Sequence, residues 1–173
     1  MVEQVKYKVQ KKLDDIEFRE YPEILLATVT GMHDDPSFGI LFNYIAGSNR
    51  TSKKISMTAP VVSSEKIPMT APVISNDRFF TFVLPSSYTV ETVPKPTDGR
   101  INIHVQPPRI FAVLRFSGWA SESQIAKMGA KLLETLARHN VKTRGDVFLM
   151  RYNSPFAPGF MRRNEVGIEV LEK

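Results

Sequence analysis

Two stretches of this chain carry apolar residues at helical spacing, and each lies among extended runs in a similar order. No other feature narrows the fold as far. The first stretch begins at Asp34-Asp35-Pro36-Ser37, a combination that favours a helix start. Phe38, Leu41, Phe42 and Ile45 then recur on one face, and Gly47 offers a stop. The second opens with Ser121 and Gln124 as a capping box and continues through Ile125, Met128, Leu132, Leu133 and Leu136. Arg138 and His139 follow, placed as cations at its C-terminal end.

Around these helices the period is two. Val5, Tyr7 and Val9 alternate with polar residues, as do Ile16 and Phe18 after an Asp14-Asp15 turn. ILLATVT (24–30) follows Pro22, and after the first helix come a Pro-bearing loop and RFFTFVLP (78–85). INIHVQ (101–106) alternates strictly. Beyond Pro108 stand RIFAVLRF (109–116), the second helix, DVFLMRY (146–152), another Pro-bearing loop and EVGIEVL (165–171). The order predicts an α+β fold in which two βαββ repeats, about 15–85 and 100–172, pair into a distorted antiparallel β-barrel or curved sheet. The two main helices pack on its outer face and leave a groove between the halves. Residues 1–173 are expected to form a single domain.

Composition removes several function classes. The chain has no cysteine, which excludes disulfides, thiolate metal sites and thiol nucleophiles together and fits a reducing compartment. It has no apolar run long enough to span a bilayer, and the N-terminus MVEQVKYKVQKKL has no apolar signal core, so a cytoplasmic protein without membrane association is expected. The net charge of +5 favours anionic partners in general. The cations are dispersed except at Lys53-Lys54 and Arg162-Arg163, each a solvated surface pair or a local anion clamp, and no nucleic-acid-binding signature accompanies them. A monomer with a small-molecule partner is the expectation.

Catalytic and metal signatures are absent. There is no phosphate-binding loop, dinucleotide fingerprint or nucleophile elbow. His33, His104 and His139 have no second ligand at metal spacing; His104 falls on the polar phase of its strand and reads as solvated. Among the carboxylates, Glu165 opens a strand directly after Arg162-Arg163-Asn164, either as half of an ion pair or as the buried carboxylate of a ligand cavity. The phrase MTAPV occurs twice, at 57–61 and 69–73. Pro60 and Pro72 hold both copies extended. The copies are predicted to form the arms of a hairpin, each a proline-blunted edge with Met57 and Met69 aimed at one groove.

Three stretches resemble the SOUL/haem-binding protein family: Ile16-Glu17-Phe18-Arg19-Glu20-Tyr21, the phrase Ile55-Ser56-Met57-Thr58-Ala59-Pro60-Val61 preceded by Asn49 and Lys53-Lys54, and Tyr152-Asn153-Ser154-Pro155 leading to Arg162-Arg163-Asn164-Glu165-Val166. They fall in order and span nearly the whole chain. The resemblance implies the duplicated barrel, similar also to the ligand-binding domain of GyrI-like regulators, and a protein that binds haem or another tetrapyrrole as a carrier, buffer or sensor without catalysis. It implies a shallow groove beside the first helix, with Phe38, Leu41, Phe42 and Ile45 as its apolar platform, although the groove can use only some of these, since an amphipathic helix must bury one face as core. Arg50, Lys53 and Lys54 would pair the propionates, and Met57, Met69 and Glu165 complete the expected site. Some members carry a histidine where this chain has Glu20, so haem is expected here without a histidine ligand. The competing expectation is a GyrI-like small-molecule binding protein or hydrolase for planar or cationic compounds, with Glu165, Tyr152 and Trp119 in the cleft between halves.

Overall fold

Alternation decides which side of each strand meets a helix. The structure, a computed structural model, describes residues 2–51, 63–154 and 156–171. In chain order these form β1 (Glu3–Gln4), β2 (Lys8–Leu13), β3 (Ile16–Tyr21), β4 (Ile24–Thr30), α1 (Asp34–Ala46), β5 (Asn49–Arg50), β6 (Thr70–Ser75), β7 (Phe79–Val83), β8 (Lys95–Pro96), β9 (Asn102–Gln106), β10 (Arg109–Phe116), α2 (Glu122–Arg138), β11 (Thr143–Arg151) and β12 (Asn164–Val170), with a 3₁₀ turn at Gly159–Met161. The main sheet runs β2-β3-β10-β12-β11-β6-β7-β4-β9, and β1 joins β6 in parallel. β5 and β8 make a separate ribbon.

The sheet is curved and open. Its edges, β2 and β9, do not pair with each other among the described residues, so the expected barrel does not close. Lys8, Lys11 and Lys12 on β2 blunt one exposed edge against further pairing.

Two blocks meet in the middle of this sheet. β6-β7-β4 carries α1 between β4 and β6; β11-β12-β10 carries α2 between β10 and β11. They join through the β6–β11 pair, where Leu149 faces Ser75 and Arg151 faces Val73. Each block is widened by the strand that leads into the other: β3 pairs with β10, and β9 with β4. The halves therefore exchange their leading strands.

Both helices pack on the same side of the sheet. α1 covers β4 and β7, burying Leu41, Tyr44 and Ile45 against Leu25, Ala27, Val29, Phe80 and Phe82. α2 covers β10 and β12, burying Leu132 and Leu136 against Ala112, Leu114, Val166 and Ile168. The other phase of each strand faces the uncovered inner side, where Tyr21, Phe111, Val113 and Met150 form a third cluster. That is why ILLATVT reads as a continuous apolar run: β4 is buried on both faces.

The helix ends follow the sequence. Ser121 Oγ accepts from the Gln124 backbone N–H at 3.2 Å, and His139 caps the C-terminus of α2. Gly47 ends α1 at φ +133°, a conformation that favours glycine. The second MTAPV copy departs from expectation. It is no edge: β6 lies between β7 and β11. Pro72 has no N–H for a ladder, and the β6–β7 register shifts between Thr70 and Val73, so the proline sits where the pairing is interrupted. The first copy lies outside the described residues. No described helix is long and apolar enough to cross a membrane.

Candidate functional site

The E-x-R-x-Y and R-x-N-E stretches meet on the inner face. On β3, Ile16 and Phe18 point to the α2 core, which turns Glu17, Arg19 and Tyr21 inward; on β12, Val166 and Ile168 point to α2, which turns Glu165 inward. β10 lies between these strands, so the two groups stand two strand spacings apart, roughly 10 Å. An arginine can bridge that distance. Arg19 grips Glu165 with both arms of its fork, Nη1 to Oε2 at 2.7 Å and Nη2 to Oε1 at 2.9 Å. Arg163 adds Nε to Oε1 at 3.0 Å and Nη2 to Oε1 at 2.9 Å.

The network has an outer layer. Arg19 Nε donates to Glu17 at 2.8 Å and Nη1 to the Tyr21 hydroxyl at 3.1 Å. Arg163 Nη2 donates to the Tyr7 hydroxyl at 2.9 Å. Each guanidinium also lies on an aromatic face, Arg19 on Tyr7 at 4.1 Å and Arg163 on Tyr152 at 3.9 Å. Glu165 is 0% exposed. Burial alone would push its carboxyl up, but the two guanidiniums outweigh burial and hold it below the usual carboxylate range. Two carboxylates balance two cations, so Glu165 is a latch between strands and offers no free charge to a ligand.

The α1 face divides the expected platform. Leu41 and Ile45 are core residues and present no surface to a ligand. Phe38 and Phe42 are 38% and 46% exposed, and their rings stack with centroids 5.8 Å apart and planes 19° apart. Phe38 stands edge-on to the buried Phe82 ring at 5.6 Å, which anchors the pair. Met69 is half-buried against the same core, and Arg50 is exposed on β5 opposite Lys95. Lys53, Lys54 and Met57 lie outside the described residues. Thr51 N–H donates to the Ser63 carbonyl at 2.9 Å, and the Thr51 and Ser63 hydroxyls are hydrogen-bonded. The buried Asn49 side chain donates to the Tyr44 and Glu65 carbonyls, both at 2.8 Å, and accepts from the Glu65 N–H at 3.0 Å, tying the residues after Ser63 to the end of α1.

The inner face also holds a cleft of about 520 Å³, on the side of the sheet opposite α1 and between the two blocks. None of the expected site residues that the structure describes lines it. Its walls are the inward phases of β4, β6, β7 and β9 on one side and of β10 and β11 on the other. Within them the Thr28 hydroxyl contacts the Thr81 hydroxyl at 2.7 Å and His104 Nε2 at 3.0 Å. His104 is therefore half-buried in the cleft rather than solvated. Burial, and then the charge of Arg109, push its imidazole below the usual histidine range. Trp119, expected in this cleft, lies elsewhere: it packs on Gly159 under the Arg162 guanidinium, 4.1 Å from the ring centroid. Tyr152 lies beneath Arg163, in the ion network. The strict alternation of INIHVQ was the available signal for His104, since the polar phase of a curved sheet's edge strand can face inward. Among the described residues no group of three His, Asp or Glu is placed to hold a metal ion.

Comparisons with known proteins agree with the fold and motifs. A family model described as "SOUL heme-binding protein" matches residues 2–169. The Xenopus laevis protein named heme-binding protein 1 is 29% identical over 127 residues, covering 73% of this chain and 65% of that protein, so the match spans just under two thirds of the relative. Among solved structures, the C-terminal domain of EcmrR superposes with a TM-score of 0.56 at 11% identity, covering 96% of this chain and 99% of the other. A hydrolase from Listeria innocua gives 0.56 at 12% identity, covering 94% of each chain. At these identities the structural likeness is one of fold.

Proposed function

The chain belongs to the SOUL heme-binding protein family, and from that premise we propose that it binds haem or a related tetrapyrrole on the exposed face of α1, as a cytoplasmic, monomeric carrier, buffer or sensor without chemistry of its own. The observation that carries this reading is the stacked Phe38–Phe42 pair. A flat macrocycle needs an apolar face that is exposed before binding and held in place by the core, and these two rings meet both needs. Leu41 and Ile45 support the platform from beneath. Arg50 stands exposed beyond the end of α1, and Lys53 and Lys54 follow it in sequence, which suits propionates outside the apolar face. Haem would supply the iron and the chromophore; the chain would supply stacking, burial and charge. Met57 and Met69, one in each copy of the repeated phrase that follows α1, are the thioethers this reading offers to the iron.

Titration of the apo-protein with hemin tests the reading. A saturable Soret shift at micromolar hemin is expected, weakened at least about tenfold, or ~1.4 kcal/mol, by Phe38→Ser with Phe42→Ser. Lys53→Glu with Lys54→Glu is expected to weaken it in a salt-dependent manner. No saturable shift, or a shift indifferent to both double variants, refutes the assignment.

A further inference from the structure

We propose that the inner-face cleft is a second binding site, separate from the α1 platform, and that its ligand is a small organic monoanion with an apolar body, its acidic group seated between Arg109 and Arg144.

The apolar body follows from the walls. Leu26, Val83, Ile74, Phe111 and Met150 face the 520 Å³ space, and no described helix covers this side of the sheet. A cleft of this size whose surface is mainly apolar, with polar side chains set into it, suits a small molecule. The sign of the charge follows from the rim. Three cations, Arg78, Arg109 and Arg144, line the cleft together with two carboxylates, Asp146 and Glu169. Arg78 and Asp146 form their own pair at 3.5 Å. Arg109 and Arg144 share the single carboxylate of Glu169, at 3.7 and 3.9 Å. Those distances are too long for good hydrogen bonds, so the two planar forks keep donors to give. One positive charge is left over at the rim, and the remaining donors suit a carboxylate or sulfonate.

A cation finds no such place. Among the described residues, the fully buried carboxylate nearby, Glu165, is held by two arginines and does not line the cleft. Inside, the chain Thr81–Thr28–His104 is one polar interruption of the wall, which Asn76, Asn102 and Gln106 also line. Each hydroxyl can make three hydrogen bonds, so the Thr81 hydroxyl, with its one contact to Thr28, has capacity for a polar atom on the ligand body.

The test uses the whole chain and 1-anilinonaphthalene-8-sulfonate, itself an apolar monoanion, followed by its fluorescence. Dodecanoate and dodecyltrimethylammonium, matched in tail and opposite in charge, serve as competitors below their micellar concentrations. Saturable probe binding is expected, displaced by dodecanoate and not by the ammonium. Arg144→Glu, at an exposed position, and Arg109→Gln are expected to weaken probe and dodecanoate roughly tenfold. Ile74→Trp, which fills the cleft, is expected to abolish binding, while Phe38→Ser with Phe42→Ser leaves it intact. Equal displacement by both competitors, indifference to Arg144→Glu in a variant with unchanged melting temperature, or loss of the probe with the α1 variant overturns the proposal. Hemin binding enters none of these outcomes, so the two sites fail or stand independently.

Discussion

Glu165→Gln removes one negative charge from the inside of the protein and almost nothing from its shape. Among the described residues, Arg19, 2% exposed, would then keep Glu17 as its counter-charge, and the Arg163 side chain would keep its contacts with Tyr7 and Tyr152. Breaking a buried ion pair by removing one partner costs about 3–5 kcal/mol, because the surviving charge stays desolvated. Out of roughly 5–15 kcal/mol for a whole domain, that is a large share. For a chain of this length it corresponds to a fall in melting temperature of roughly 6–20 °C. Urea unfolding at pH 7, followed by near-ultraviolet circular dichroism, measures it. The pH dependence has a definite sign. The native carboxyl is held below its ordinary range, so its contribution is complete above the unfolded value of about 4.3 and is lost as pH falls through the lower folded value. The gap between wild type and Glu165→Gln therefore narrows on acidification. Replacing the network whole, as Arg19→Met, Arg163→Met and Glu165→Leu, is expected to recover most of the loss. A loss under about 1 kcal/mol at pH 7 would refute the view of Glu165 as a latch, as would a gap that widens in acid.

Two further perturbations bear on the fold around the sites. Gly167→Ala places a Cβ 2.8 Å from the Phe148 ring, which lies on the cleft wall; the clash is expected to cost about 1–3 kcal/mol in urea unfolding and, by moving that ring, to change probe binding in the cleft. Asn49→Ala removes the side-chain bonds to the Tyr44 and Glu65 carbonyls and from the Glu65 N–H, an expected loss of about 1–3 kcal/mol, with cooperative unfolding retained.

The fold was legible because its signals are local. Alternation placed the strands, and caps and glycine placed both helices. Closure was not legible, since it depends on how far a ten-stranded sheet curls before its edges meet. The α1 stripe shows where local periodicity stops short. At ~100° per residue, Phe38, Leu41, Phe42 and Ile45 share a face, yet the buried arc is centred on Leu41 together with Ser37 and Tyr44. Ser37 and Tyr44 shift that arc and leave the phenylalanines on its flank. The Arg19–Glu165 contact joins residues 146 positions apart, which no spacing rule connects. His104 was misplaced because alternation separates two faces without saying which one water reaches.

The exchange of leading strands has a consequence for how the chain holds together. Neither half can close its own sheet: β10 needs β3 from the first half, and β4 needs β9 from the second. Cleavage in the turn-rich link between β7 and β9 would yield two fragments, each displaying a bare strand edge that fits the other. Such fragments are expected to template one another on mixing and to stay incomplete apart. The duplicated architecture thus behaves as an intramolecular dimer with swapped arms, in which unfolding either half strips a strand from its neighbour and the two must melt in one transition.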